Sequence, residues 1–128
     1  MAAELLTRRA TFLVALVFVI GCKPDASVPD DVLASPEARA VGERIFAENC
    51  AICHGPNGHG DGVRRAGFGA PPPDFSTRAW RERVSPSHIA DTIRYGKKPT
   101  SMPAWPGLAD EEVDALVAYI RSLSEDPG

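Results

Sequence analysis

Apolar residues recur with a helical period in three stretches of the chain and follow no period elsewhere. The strongest runs near the C-terminus, where Val113, Leu116, Val117, Ile120 and Leu123 fall at i, i+3, i+4, i+7 and i+10. That spacing predicts an amphipathic helix beginning near Asp110. Asp110, Glu111 and Glu112 would sit in its first turn, where the helix dipole favours negative charge. A second helix is expected from Ser35-Pro36, a serine cap followed by proline at the first helical position. Val41, Ile45 and Phe46 supply its apolar stripe. Ser85-Pro86 repeats the start signal, Ile89, Ala90 and Ile93 give the face, and Gly96 is a suitable stop.

The stretch from Gly55 to Pro73 is dense in glycine and closes on Pro71-Pro72-Pro73. It suits neither helix nor strand. A loop this long in a small domain needs something to wrap around. At the N-terminus, Arg8 and Arg9 precede an apolar run of about eleven residues, Ala10 to Ile20. A spanning helix needs roughly twenty, so the run reads as a signal peptide. Val19-Ile20-Gly21-Cys22 is similar to the lipobox of bacterial lipoproteins, which makes Cys22 a candidate for lipidation. Lys23 to Ser35 is polar, carries two prolines and reads as a flexible tether.

With 128 residues and a formal charge of -3, the chain has room for one domain. Basic residues are not in excess, so nucleic acid is not an expected partner. Of three cysteines, Cys50 and Cys53 stand in Cys50-Ala51-Ile52-Cys53-His54. A C-x-x-C-H run reads as covalent attachment of a c-type haem. The two thiols add to vinyl groups on one porphyrin edge, and His54 is held beneath the iron. Zinc would need further Cys or His ligands, and no second pair is present. A thioredoxin-like pair needs a strand before it, and none is expected there. A porphyrin would also supply the apolar core that roughly ninety residues only marginally build alone.

These elements resemble the small bacterial class I cytochromes c over about Pro36 to Leu123. Gly42 and Phe46 match the family's N-terminal helix, and Tyr119 matches the aromatic on its last helix. Gly55 to Asp61 (GPNGHGD), Pro71 to Phe75 (PPPDF) and Ser101 to Trp105 (SMPAW) follow in the family's order. The fold implied is all-α, a cytochrome c fold of three main helices and long loops wrapped around one covalent haem. The organisation expected is a signal peptide over 1–21, a lipidated N-terminus and tether over 22–35, a cytochrome c domain over 36–123 and a tail over 124–128. Met102 is expected as the sixth iron ligand. It lies in a proline-flanked loop rather than on a helical stripe, and Met1 leaves with the signal peptide. His59 and His88 are the competing ligands. The resemblance further implies that a backbone carbonyl among Pro71 to Pro73 accepts the His54 N–H. It also implies that Trp105 and Pro72 line the haem pocket. Ala109 departs from the family's usual Ser or Thr cap, a loss of about 1 kcal/mol unless Asp110 replaces it.

The function expected is electron transfer, with no catalytic residues. The chain would carry single electrons between redox proteins, among them a membrane-bound oxidase or reductase. It would be anchored by lipid on the periplasmic side of a bacterial membrane, alone or as the electron-transfer subunit of a larger oxidoreductase. The alternative is a haem-based ligand sensor or peroxidase-like enzyme with a displaceable Met102, using His88 or Arg94 on the distal side. Charge is uneven along the chain. Arg64 to Lys98 holds eight basic and three acidic residues, whereas Pro99 onward holds six acidic residues and only Arg121.

Overall fold

The computed structural model describes residues 27–64 and 69–125. The signal segment, Cys22 and the first part of the tether lie outside the described residues. Six helices form among the described residues, joined by long irregular loops: α1 Asp30–Ala34, α2 Pro36–Asn49, α3 Ala51–His54, α4 Arg78–Arg83, α5 Pro86–Tyr95 and α6 Asp110–Ser122. No strand occurs among the described residues beyond one isolated bridge between Lys97 and Met102. The all-α expectation holds.

The start signals act as read. Ser35 Oγ accepts from Ala38 N at 3.1 Å, and Ser85 Oγ accepts from His88 N at 3.2 Å. The α6 cap is built differently from the expectation. Ala109 has no side-chain acceptor, and Glu112 rather than Asp110 compensates, its Oε2 accepting from Ala109 N at 3.0 Å. Only that half of a capping box is available to an alanine.

The core forms where α2 crosses α6. Phe46, Val113, Leu116 and Val117 are fully enclosed there, and Ile45 and Ile120 are buried beside them. The helices approach so closely because Gly42 has no side chain. A Cβ at Gly42 would stand 2.6 Å from the Ala115 carbonyl carbon and 2.8 Å from Tyr119 Cβ. Phe46 and Tyr119 meet beside this contact with ring centroids 5.3 Å apart. Val41 leaves the expected stripe: it is 39% exposed, while Ile45 and Phe46 point inward.

Two boundaries move outward. The tether expected up to Ser35 ends earlier, because Asp30–Ala34 form α1 and Val28 is 5% exposed. Val32 and Leu33 pack against the core, and the Leu33 carbonyl accepts from Arg39 Nε and Nη2 at 3.3 and 3.1 Å. At the other end, Glu125 belongs to the domain rather than to a tail. Its carboxylate pairs with Arg39 on α2 at 3.0 Å and Arg81 on α4 at 2.7 Å.

Candidate haem-attachment site

α2 runs into Cys50, whose N–H donates to the Phe46 carbonyl at 2.8 Å. One further turn follows, with Cys53 N and His54 N donating to the Cys50 carbonyl at 3.1 and 2.9 Å. Residues i and i+3 on such a turn share a face, so the two thiols project from the same side. Gly62 closes the glycine loop against this turn. A Cβ there would overlap the Cys53 backbone, and Arg64 N donates to the Ile52 carbonyl at 2.9 Å. The loop therefore wraps the cysteine turn, and only glycine permits the approach.

Both thiols are free and partly buried. Burial, helped by the neighbouring Cys53, pushes the Cys50 thiol up to about 11. Redox-active cysteines work as thiolates in electropositive, partly exposed surroundings, the opposite of this environment. Among the described residues, no group of three or more Cys, His, Asp or Glu is placed to hold a metal ion.

The His54 ring lies against Phe75, centroids 4.8 Å apart and planes 20° off parallel, with Phe46 at 6.3 Å on another side. Burial lowers the His54 pKa, which favours the neutral imidazole that binds metals. Its Nδ1 is buried and has no hydrogen-bond partner. The bond that the His54 N–H is expected to donate to a proline carbonyl is therefore not made. The Pro72 carbonyl instead lies over Gly60, where an added Cβ would meet it. An orphaned buried nitrogen costs about 1–3 kcal/mol. Two thiols on one turn, a neutral imidazole with an unsatisfied nitrogen and an aromatic wall fit a covalently held haem.

Phe75 is the residue the sequence reading missed, having entered only as the end of PPPDF. It also meets Trp80 at 4.7 Å, and its N–H donates to the Gly58 carbonyl at 2.8 Å. A lone aromatic closing a proline-rich loop was the available signal.

Met102 sits on a separate turn after α5. Lys97 N donates to the Met102 carbonyl at 3.1 Å, and Thr100 Oγ1 accepts from Met102 N at 3.3 Å. Trp105 N donates to the Ile93 carbonyl at 2.9 Å, pinning the SMPAW segment to α5. Trp105 and Cys50 pack against the same core, so that core joins the two segments. The groups considered as alternatives are placed elsewhere. His59 Nδ1 faces Ser76 Oγ at 3.1 Å and Asp74 at 3.4 Å. His88 is exposed, and Arg94 pairs with Asp110 at 2.8 Å.

Solved structures share this architecture. A chain of the Kuenenia stuttgartiensis reducing HAO-like protein complex Kustc0457/Kustc0458 superposes with a TM-score of 0.61 at 26% identity, over 70% of this chain and 44% of that one. The KustC0563 c-type cytochrome superposes at 0.54 and 30% identity, over 64% of this chain and 95% of that one. Fold and motif together define a c-type cytochrome domain.

Residues 37–120 match the family model described as cytochrome C oxidase, cbb3-type, subunit III, and the chain belongs to that family. Among curated relatives, the cbb3-type cytochrome c oxidase subunit CcoP of Rubrivivax gelatinosus is 34% identical over 79% of this chain and 31% of its own length. Subunit FixP of Bradyrhizobium diazoefficiens is 34% identical over 66% of this chain and 27% of its own. The chain thus spans under a third of these relatives. Among the described residues, no helix is long and apolar enough to cross a membrane.

Proposed function

We propose that this chain is a monohaem cytochrome c domain that passes single electrons between respiratory partners outside the cytoplasm. One partner would be a membrane-bound oxidase, the assembly named by the relatives, or a reductase, and lipid on Cys22 would hold the chain to its bilayer. The observation that carries the reading is the Cys50–His54 turn, with both thiols on one side and a buried, unsatisfied imidazole nitrogen. A single C-x-x-C-H in this sequence supports one haem on this chain.

Haem c, when bound, supplies the one-electron couple. Cys50 and Cys53 would hold it through their thiols, and His54 and Met102 would ligate its iron. The stacked Phe75 ring fixes the plane of the His54 imidazole. Thr100 and the Trp105 backbone hold the Met102 segment, and Trp105 and Pro72 wall the pocket. With His54 and Met102 both on the iron, no position would be left for a substrate, and methionine ligation would raise the potential. Arg64, Lys97 and Lys98 are exposed on neighbouring loops and would steer an acidic partner face toward the site. The sensor or peroxidase reading would need a distal acid–base group. Both candidates are engaged otherwise, Arg94 with Asp110 and His88 with solvent.

Spectroscopy of wild type beside Met102→Ala tests the reading. Ferric wild type should show the weak near-infrared band of methionine-ligated haem, and its reduced form should resist carbon monoxide. Met102→Ala should lose the band, bind carbon monoxide rapidly and fall in potential. Fast stoichiometric carbon monoxide binding to wild type would favour the sensor or enzyme.

A further inference from the structure

A groove of about 360 Å³ runs along the surface where α1, α2 and α6 meet. Its floor is aliphatic, built by Val32, Val41 and Ala115, and its rim is acidic, carrying Glu37, Glu111 and Asp114; none of its lining residues is basic. Val41 is the α2 residue that left the core-facing stripe, and it stays 39% exposed. The fold has other uses for the nearby acids, since Glu112 caps α6 and Asp110 pairs with Arg94. Glu111, which also sits in the dipole-favoured first turn of α6, and Asp114, which feels Arg94 nearby, make no hydrogen bond or ion pair among the described residues. Burial and the adjacent Asp110 and Glu111 raise the Asp114 pKa, with Arg94 opposing.

We propose that this groove is a second protein-docking surface, which takes an apolar side chain flanked by lysine or arginine on a basic segment of a partner polypeptide. Charge complementarity identifies the occupant. An acidic rim repels anionic lipid headgroups and acidic proteins, while its aliphatic floor binds an apolar side chain by burying it. The surface is distinct in sign from the basic loops around Lys97 and Lys98, so the two faces select partners of opposite charge. This inference goes beyond the redox reading and does not depend on it.

The test uses reduced, isotope-labelled mature holoprotein and a synthetic helical peptide of leucine and lysine. The expected result is amide shifts confined to residues lining the groove, weakened by salt and lost in Val41→Lys. The double change Glu111→Gln with Asp114→Asn should weaken binding with the floor intact. Unchanged melting temperature and haem spectrum verify that both variants are folded. The proposal is overturned if a leucine–glutamate peptide binds as well, if shifts centre on Lys97 and Lys98, or if Val41→Lys binds like wild type. Absence of binding overturns it, as do groove shifts with phosphatidylglycerol vesicles. A sedimenting dimer that Val41→Lys dissolves would assign the groove to a second copy instead.

Discussion

Adding one methyl group at Gly42 should unseat the contact on which the fold rests. The new Cβ would stand 2.6 Å from the Ala115 carbonyl carbon and 2.8 Å from Tyr119 Cβ. Carbon atoms pack at about 3.5–4.0 Å, so α2 and α6 would have to part by about 1 Å. The obstacle is helix backbone, which cannot rotate aside as a long side chain does. Taken alone, Gly→Ala in a helix is favourable by about 1 kcal/mol. Overpacking a well-filled core costs about 1–3 kcal/mol and occasionally more, and a backbone clash puts this site at the upper end. The net expectation for Gly42→Ala is a loss of about 2 kcal/mol. In a domain of this size that lowers the melting temperature by about 8–16 °C. Thermal and urea unfolding of the holoprotein, followed by far-ultraviolet circular dichroism, would measure it. Ala47→Gly, on the exposed side of α2, is the control and should cost only about 1 kcal/mol. If Gly42→Ala matched or exceeded wild-type stability, the close crossing of α2 and α6 would be refuted.

Arg121→Ala should destabilise by about 1–2 kcal/mol, the charge-assisted range discounted for partial exposure. It removes bonds from Arg121 Nη1 to the Arg81 and Val84 carbonyls at 3.0 and 2.8 Å. The urea midpoint should fall with the visible spectrum unchanged; a midpoint equal to wild type contradicts the tie between α4 and α6. Asp74 is held below its ordinary 3.8, first by Ser76 and then by His59. Its folded pKa is depressed, so the unfolded chain binds the proton more readily and stability rises with pH across this range. The contribution is present above the ordinary value and disappears as pH falls through the lowered one. Asp74→Asn should therefore flatten the acid limb of a stability–pH profile, and an unaltered limb would count against the linkage. Cys22→Ser should abolish the proposed lipid anchor and release holoprotein or leave it uncleaved, since the acyl chains needed for stable attachment would all depend on that cysteine. Palmitate label persisting in that variant would refute lipidation at Cys22.

The three long helices were legible because their apolar period and serine–proline starts are local signals, and α2, α5 and α6 formed where those signals lay. Elements set by tertiary contact were not legible. α1 has five residues and no period of its own; Val28 and Val32 become a face only when α6 supplies the other side. α4 carries one apolar anchor, Trp80, and depends on Arg121 reaching back from α6. Cys50, Cys53 and His54 could be read because their chemistry is confined to five consecutive residues. Phe75 could not, because its stacking on His54 joins positions twenty-one apart through a loop with no periodic pattern. The acidic groove was equally hidden: its rim read as favourable dipole charge on α6, and its exposed floor read as core on α2.

Covalent attachment of one haem at Cys50 and Cys53 is the feature on which the proposed electron transfer depends. The decisive measurement is mass analysis of the proteolytic peptide carrying residues 50–54 from acid–acetone-extracted protein, with haem quantified as its pyridine haemochrome. The prediction is one haem per chain, retained through extraction and bound to that peptide through both cysteines. Free thiols on the peptide, haem removed by the solvent, or two haems per chain would contradict it.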